Sequence, residues 1–119
     1  MKKLKRLRSY VRSYRVRWGL SQDDLAFIVG FKNRKFVSHL ERHKIPPTLA
    51  VAIALSVLFG AEHAELFPTL CAQIEKDVLA RANELYERLQ GDPSKKTKMK
   101  LDFFEFMFER ADRRDAFAV

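Results

Sequence analysis

The stretch GLSQDDLAFIVGFKNRKFVSHLERHK, residues 19–44, decides how the rest of the chain is read. It divides into two short helices joined by a tight turn. Ser21 is a good N-cap, and Asp24, three residues on, occupies the reciprocal acidic position of a capping box. Asp23 and Asp24 also favour the positive end of a helix. Leu25, Ala26, Ile28 and Val29 supply an apolar helical face. Gly30 closes the helix, because glycine enters the left-handed region without steric cost. Asn33 then caps a second helix in which Phe36, Val37 and Leu40 recur at three- and four-residue steps and point inward. Arg34, Lys35, Ser38, His39 and Arg42 are left on the other face, which is cationic and polar.

The segments G-L-S-Q-x-x-L-A-x-x-x-G at 19–30 and V-S-x-L-E at 37–41 resemble the helix-turn-helix of lambda-repressor-like, Cro/CI-type regulators, the XRE family. Pro47, an Ala/Leu-rich helix at 49–59 and Leu66-Phe67 continue the pattern. The resemblance covers roughly residues 4–68. It implies an all-α fold: a five-helix lambda-repressor-like bundle, here followed by two C-terminal helices. It also implies a sequence-specific, double-stranded DNA-binding transcriptional regulator, with repression by occlusion the commoner mode. In one respect the chain departs from the family. From Gly30 to Glu41 it takes eleven steps where the family takes ten, and the extra residue falls within Phe31-Lys32-Asn33.

Counting back from Ser38 and Glu41, the resemblance makes Arg34, Lys35 and His39 the base-contacting residues. Arg34 suits a bidentate pair with guanine O6 and N7. Lys35 reaches the same edges as a point charge, and His39 donates to a base or phosphate. A purely phosphate-contacting role is the alternative for Arg34 and for Lys35. Gln22, Asn33, Ser38, Arg42 and Lys44 are the phosphate-contacting candidates, with backbone N–H groups at the helix start assisting Gln22. Arg15 and Glu41 match a family pair that bridges the first and third helices, a structural role. After Glu41 the family has Asn-Gly or Arg-Gly, so here the left-handed cap falls on His43.

Charge supports a polyanion partner. The net charge of +8 is uneven: residues 1–44 carry thirteen Lys/Arg against three Asp/Glu, and the remainder is slightly acidic. A basic half joined to a near-neutral half places the polyanion on one side only. Residues 2–18 read as the first helix, with Leu4, Leu7, Val11, Tyr14 and Trp18 on one face and Lys/Arg on the other; the first few residues are alternatively an arm. Such a basic amphipathic helix also suits a membrane surface. Beside a helix-turn-helix, phosphate is the better partner.

Thr48 caps the helix Leu49–Phe59, which is apolar almost all round and therefore reads as the buried central helix. Gly60 closes it, and a short helix Ala61–Phe67 follows, ended by Pro68. A domain boundary is expected there, giving a DNA-binding domain at 1–68 and a helical extension at 69–119. Thr69–Leu89 is one long helix striped by Leu70, Ile74, Val78, Ala82, Leu85 and Leu89, and widened by Leu79 and Tyr86. Gly91-Asp92-Pro93-Ser94 breaks it, and Lys95–Lys100 reads as a basic linker. Leu101–Arg114 is a helix with Phe103, Phe104, Phe106 and Phe108 on more than one face. The uncovered face points to a homodimer through residues 69–119, unless the helix only completes the monomer's core.

The other function classes are weaker. His39 and His43 have a chelating spacing but no third ligand, so no metal is expected. No phosphate-cradling glycine loop or paired carboxylates in an apolar setting appear, so neither a cofactor nor an enzyme is expected. The single cysteine, Cys71, excludes an internal disulfide and fits a reducing compartment. No apolar run approaches the about 18 residues of a membrane span, and a cytoplasmic protein is expected. Two rivals to the regulator remain. One is an antitoxin-like protein-interaction module whose Phe-rich C-terminal helix covers a protein partner. The other is a nonspecific nucleic-acid binder running on charge alone.

Overall fold

A computed structural model of the chain describes residues 9–42 and 44–117, with side chains described as far as Asp115. Among the described residues seven helices follow one another: α1 (Val11–Arg17), α2 (Gln22–Val29), α3 (Lys35–Glu41), α4 (Leu49–Phe59), α5 (His63–Leu66), α6 (Pro68–Arg88) and α7 (Lys95–Phe117). Among the described residues there is no strand, so the class is all-α. The chain divides into two compact units, residues 1–73 and 74–119, and the division falls inside α6.

In the first unit, local chemistry places the helix ends. Ser21 Oγ accepts from the Asp24 N–H at 3.0 Å, and Asp24 Oδ2 accepts from the Ser21 N–H at 2.9 Å, completing the capping box of α2. Gly30 ends α2 at φ +96°, and Gly60 ends α4 at φ +65°. Thr48 Oγ1 accepts from the Val51 N–H at 3.2 Å and starts α4. The core is assembled from Val11 of α1, Leu25 and Ala26 of α2, Val37 of α3, Leu55 of α4, and Ala61, Leu66 and Phe67 around α5. Tyr14 and Phe59 close one side, their rings 5.3 Å apart. Each large side chain buried here is worth about 1.5–3 kcal/mol relative to exposure.

Four expectations about this unit change. The stretch Lys2–Arg8 of the expected first helix lies outside the described residues, but Ser9 and Tyr10 are not helical. Ser9 Oγ accepts from the Val11 N–H, and the Tyr10 N–H donates to the Leu66 carbonyl at 2.8 Å, which holds the chain against α5 before α1 begins. The α4 helix is not buried all round. Ala52 and Leu55 face the core, whereas Leu49, Ile53 and Val57 are 75%, 50% and 80% exposed, because the helices packed against α4, α2 and α5 among them, cover one side only. Ile28 and Phe36, expected to point inward, are likewise substantially exposed. Finally, α5 is shorter than expected, and Pro68 starts α6 instead of closing α5. Proline is tolerated in the first turn, where its missing N–H has no intrahelical partner.

In the second unit, α7 begins at Lys95, so Lys95–Lys100 is helix and not linker. The reason is a polar cap the charge run conceals. Ser94 Oγ accepts from the Thr97 N–H at 3.2 Å, and the buried Thr97 hydroxyl donates to Asp92 Oδ2 at 2.7 Å. These bonds satisfy the start of α7 and give the lysines a helical frame. Leu79, Ala82, Tyr86 and Leu89 on α6 and Leu101, Phe104, Phe108 and Ala111 on α7 are all at least half-buried. Tyr86 meets Phe108 edge-on at 5.8 Å, its hydroxyl donates to Glu105 at 2.9 Å, and Arg114 pairs with Glu75. A shallow groove lined by Val78 and Leu79 from α6 and by Met107, Arg110 and Ala111 from α7 marks one open face. Ile74 and Leu85, one and two turns from Val78, extend that face on α6. Met99, Phe103 and Phe106 extend it on α7, and Ile74, Val78, Leu85, Met99, Phe103 and Phe106 are all exposed.

Candidate nucleic-acid interface

The helices α2 and α3 are joined by the turn Gly30–Arg34, and α1 lies against α3. What holds the angle between them is a polar knot on Glu41, the last residue of α3. Arg15 of α1 approaches it with two nitrogens, Nε to Oε2 at 2.6 Å and Nη2 to Oε1 at 3.1 Å. Gln22, the first residue of α2, donates through Nε2 to Oε1 at 3.1 Å. Arg15 Nη1 also donates to the Leu20 carbonyl at 2.8 Å. The Arg15 and Glu41 side chains are only 11% and 3% exposed. Hydrogen bonding from Glu41 raises the Arg15 pKa above its ordinary value, against the opposing pull of burial. The Arg15–Glu41 bridge was legible by resemblance. The Gln22 bond was not, because nothing local signals a partner nineteen residues away.

This knot presents the outer side of α3. Val37, Leu40 and Glu41 face inward, and that rotation leaves Lys35, His39 and Arg42 on the opposite side, with Ser38 at its edge. Arg34 flanks the helix start, and Arg34 and Lys35 are both exposed. The N-cap residue of α3 is Arg34 and not Asn33 as expected; Asn33, one residue earlier, accepts the Lys35 N–H through Oδ1 at 2.9 Å, while its amide nitrogen keeps its donors. His39 is half-buried one turn along from Lys35. Ser38 Oγ accepts from Arg42 Nε at 3.1 Å, which steadies the Arg42 side chain and leaves its terminal nitrogens as donors. The Lys44 N–H donates to the His39 carbonyl at 3.0 Å, closing the C-terminal end of α3. His43, on which the left-handed cap was expected to fall, lies outside the described residues.

One Gln22 amide hydrogen is committed to Glu41, and the second remains a donor at the start of α2. The capping box uses the Asp24 N–H and so removes one backbone donor from any anion site there. Phe36, exposed beside Lys35, stacks on Phe31 of the turn with ring centroids 5.3 Å apart and planes inclined by 26°. Sequence periodicity assigned Phe36 to the core. Its true position follows from the rotation that Val37, Leu40 and Glu41 impose.

Among the described residues no group of three or more His, Cys, Asp or Glu side chains is placed to hold a metal. No described helix is long and apolar enough to cross a membrane.

Comparison with known proteins addresses the same region. A family model described as helix-turn-helix matches residues 11–66. An uncharacterized HTH-type transcriptional regulator of Archaeoglobus fulgidus is 33% identical over 61 residues, 51% of this chain and 86% of that protein. No solved structure matches the chain significantly. The matched residues run from α1 to α5 and contain the whole Arg15–Gln22–Glu41 knot, and on these grounds the chain belongs to the Cro/CI-type (XRE) helix-turn-helix family.

Proposed function

We propose that the chain is a sequence-specific, double-stranded DNA-binding transcriptional regulator that acts as a homodimer on an inverted-repeat operator. The observation that carries this reading is the outer side of α3. Exposed cationic residues cluster at its N-terminal end, and a buried three-helix knot fixes its direction. In this reading the start of α3 enters the major groove and α2 lies across its mouth. Arg34 pairs with guanine O6 and N7, Lys35 reaches the same base edges, and His39 contacts a base one turn deeper. The second amide hydrogen of Gln22, the Asn33 amide, the Ser38 hydroxyl, the Arg42 guanidinium and the Lys44 ammonium meet phosphates. Those contacts set the register and make affinity fall with salt. The name of the Archaeoglobus relative supports the same assignment.

Dimerisation is supported by the open face of the second unit. Ile74, Val78 and Leu85 on α6 and Met99, Phe103 and Phe106 on α7 leave large apolar side chains exposed. A pair of helices with an apolar face on this scale gains by covering it, and a second copy forms an isologous interface there. Two recognition helices then occupy successive major grooves about 10 bp apart.

Selection from a random duplex pool at near-physiological salt tests the reading. An inverted repeat should be enriched, and its half-site spacing should report the dimer. Salt-sensitive binding with no enriched sequence refutes the specific regulator in favour of a charge-driven binder. Sedimentation of the wild type and of Phe103→Glu tests the dimer: the wild type should be dimeric and the variant monomeric. A wild type that is monomeric alone favours the second reading, in which the same Phe-rich face covers a protein partner in the manner of an antitoxin.

A further inference from the structure

We infer that Phe36 is a specificity-determining residue that reads the C5-methyl group of a thymine in the major groove; this rests on the DNA-binding reading above. Phe36 occupies the first turn of α3, immediately after Arg34 and Lys35. It is 43% exposed although the bundle core begins at the next residue, Val37, which is fully buried. Successive helical residues turn by about 100°, which puts Phe36 on the flank of α3 that continues toward His39, three residues on. It is thus the one large apolar side chain in the helix turn that carries the proposed guanine contacts.

Two features make it a reader and not a misplaced core residue. Its ring is stacked on Phe31, 5.3 Å away and 26° from parallel, so the protein holds the ring while the residue keeps 43% of its surface exposed. A side chain already restrained in this way loses little conformational freedom on docking. Its chemistry is also selective. A ring edge offers no hydrogen bond to the acceptors and donors of guanine, cytosine or adenine, whereas thymine alone displays a methyl group in the major groove, and Phe is among the side chains that contact it. Phe31 lies in the lengthened turn, so the residue in excess of the family spacing falls in the segment that supports this ring.

The test uses the full chain and the duplex enriched by the selection described above. Each thymine of the half-site is replaced in turn by uracil, which removes the methyl group and leaves every hydrogen-bonding edge intact. One position should weaken wild-type binding about fourfold, the value of one buried methyl-sized group. The other thymines should change little. Phe36→Ala and the more conservative Phe36→Leu are then measured on both duplexes, with helical content checked by circular dichroism. Phe36→Ala should bind the thymine and uracil duplexes equally at that position and keep its discrimination elsewhere. Phe36→Leu should retain part of the difference. If the selected duplex outcompetes random DNA but no uracil replacement has an effect, the methyl-reading role is overturned and the regulator reading stands. A uracil penalty that persists unchanged in Phe36→Ala overturns it equally. A pool that yields no enriched sequence overturns both.

Discussion

Glu41→Ala is the substitution whose consequence follows most directly from the structure. The Glu41 carboxylate receives two nitrogens of Arg15 and one of Gln22, with the ion pair almost fully shielded from water. Removing it leaves a guanidinium buried beside only the Leu20 carbonyl and deprives the Gln22 amide of its acceptor. Breaking a buried pair by deleting one partner costs about 3–5 kcal/mol. That is about a fifth or more of the stability of a typical small domain. At about 4–8 °C per kcal/mol for a unit of this size, the thermal midpoint of the first unit should fall by about 12 °C or more. The double variant Arg15→Met/Glu41→Leu removes both charges and should recover most of this loss, because apolar replacements of a buried pair are commonly neutral or stabilising. It should not recover DNA affinity fully, because α3 and Gln22 have lost their common anchor. Thermal denaturation followed by circular dichroism gives the stability arm, and titration of a labelled duplex gives the other. A Glu41→Ala midpoint within about 3 °C of wild type refutes the reasoning. So does a double variant whose loss equals the sum of the single ones.

Arg34→Ala should weaken specific binding by about 1–3 kcal/mol and relax one base position, with a much smaller loss on random duplexes; equal losses on both refute base reading. Ser94→Ala removes the cap of α7 and should cost about 1 kcal/mol, with loss of helical signal from the second unit; unchanged helicity and midpoint would contradict the capping role. Bonds from the backbone and hydroxyl of Ser21 hold the Asp24 carboxyl below the ordinary aspartate pKa of about 3.9. Because the folded value is the lower one, the capping contribution is complete above the unfolded value and disappears as pH falls through the depressed folded value. An NMR titration of the Asp24 carboxyl should have its midpoint below that of an unstructured aspartate, and a midpoint at or above it refutes the assignment.

The limits of reading the chain from its sequence show at particular residues. Lys95–Lys100 looked like a solvated linker because six residues carry four lysines. The cap that makes it helical depends on Asp92, Ser94 and Thr97 closing on one another, and on Thr97 being covered. Leu49–Phe59 looked buried because it is apolar on every side, but burial requires neighbours, and the bundle offers them to Ala52 and Leu55 while Leu49, Ile53 and Val57 stay open. Phe36 has the spacing of a core residue and lacks the position of one. For Leu49–Phe59 and Phe36 periodicity named a candidate face, and only the packing of other helices selected among the faces.

The elements themselves were written locally. Ser21 with Asp24, Thr48, Gly30 and Gly60 start or stop helices through bonds and dihedral angles confined to a few neighbouring residues, and these act the same way wherever the chain goes. The helix-turn-helix and the concentration of positive charge around it were legible for the same reason. The tertiary structure decided the rotation of α3, the joint hold of Arg15 and Gln22 on Glu41, and the exposure of Phe36 and of the Phe103 and Phe106 face. These depend on residues far apart in sequence meeting in space, and on how much surface a small bundle has available to cover them.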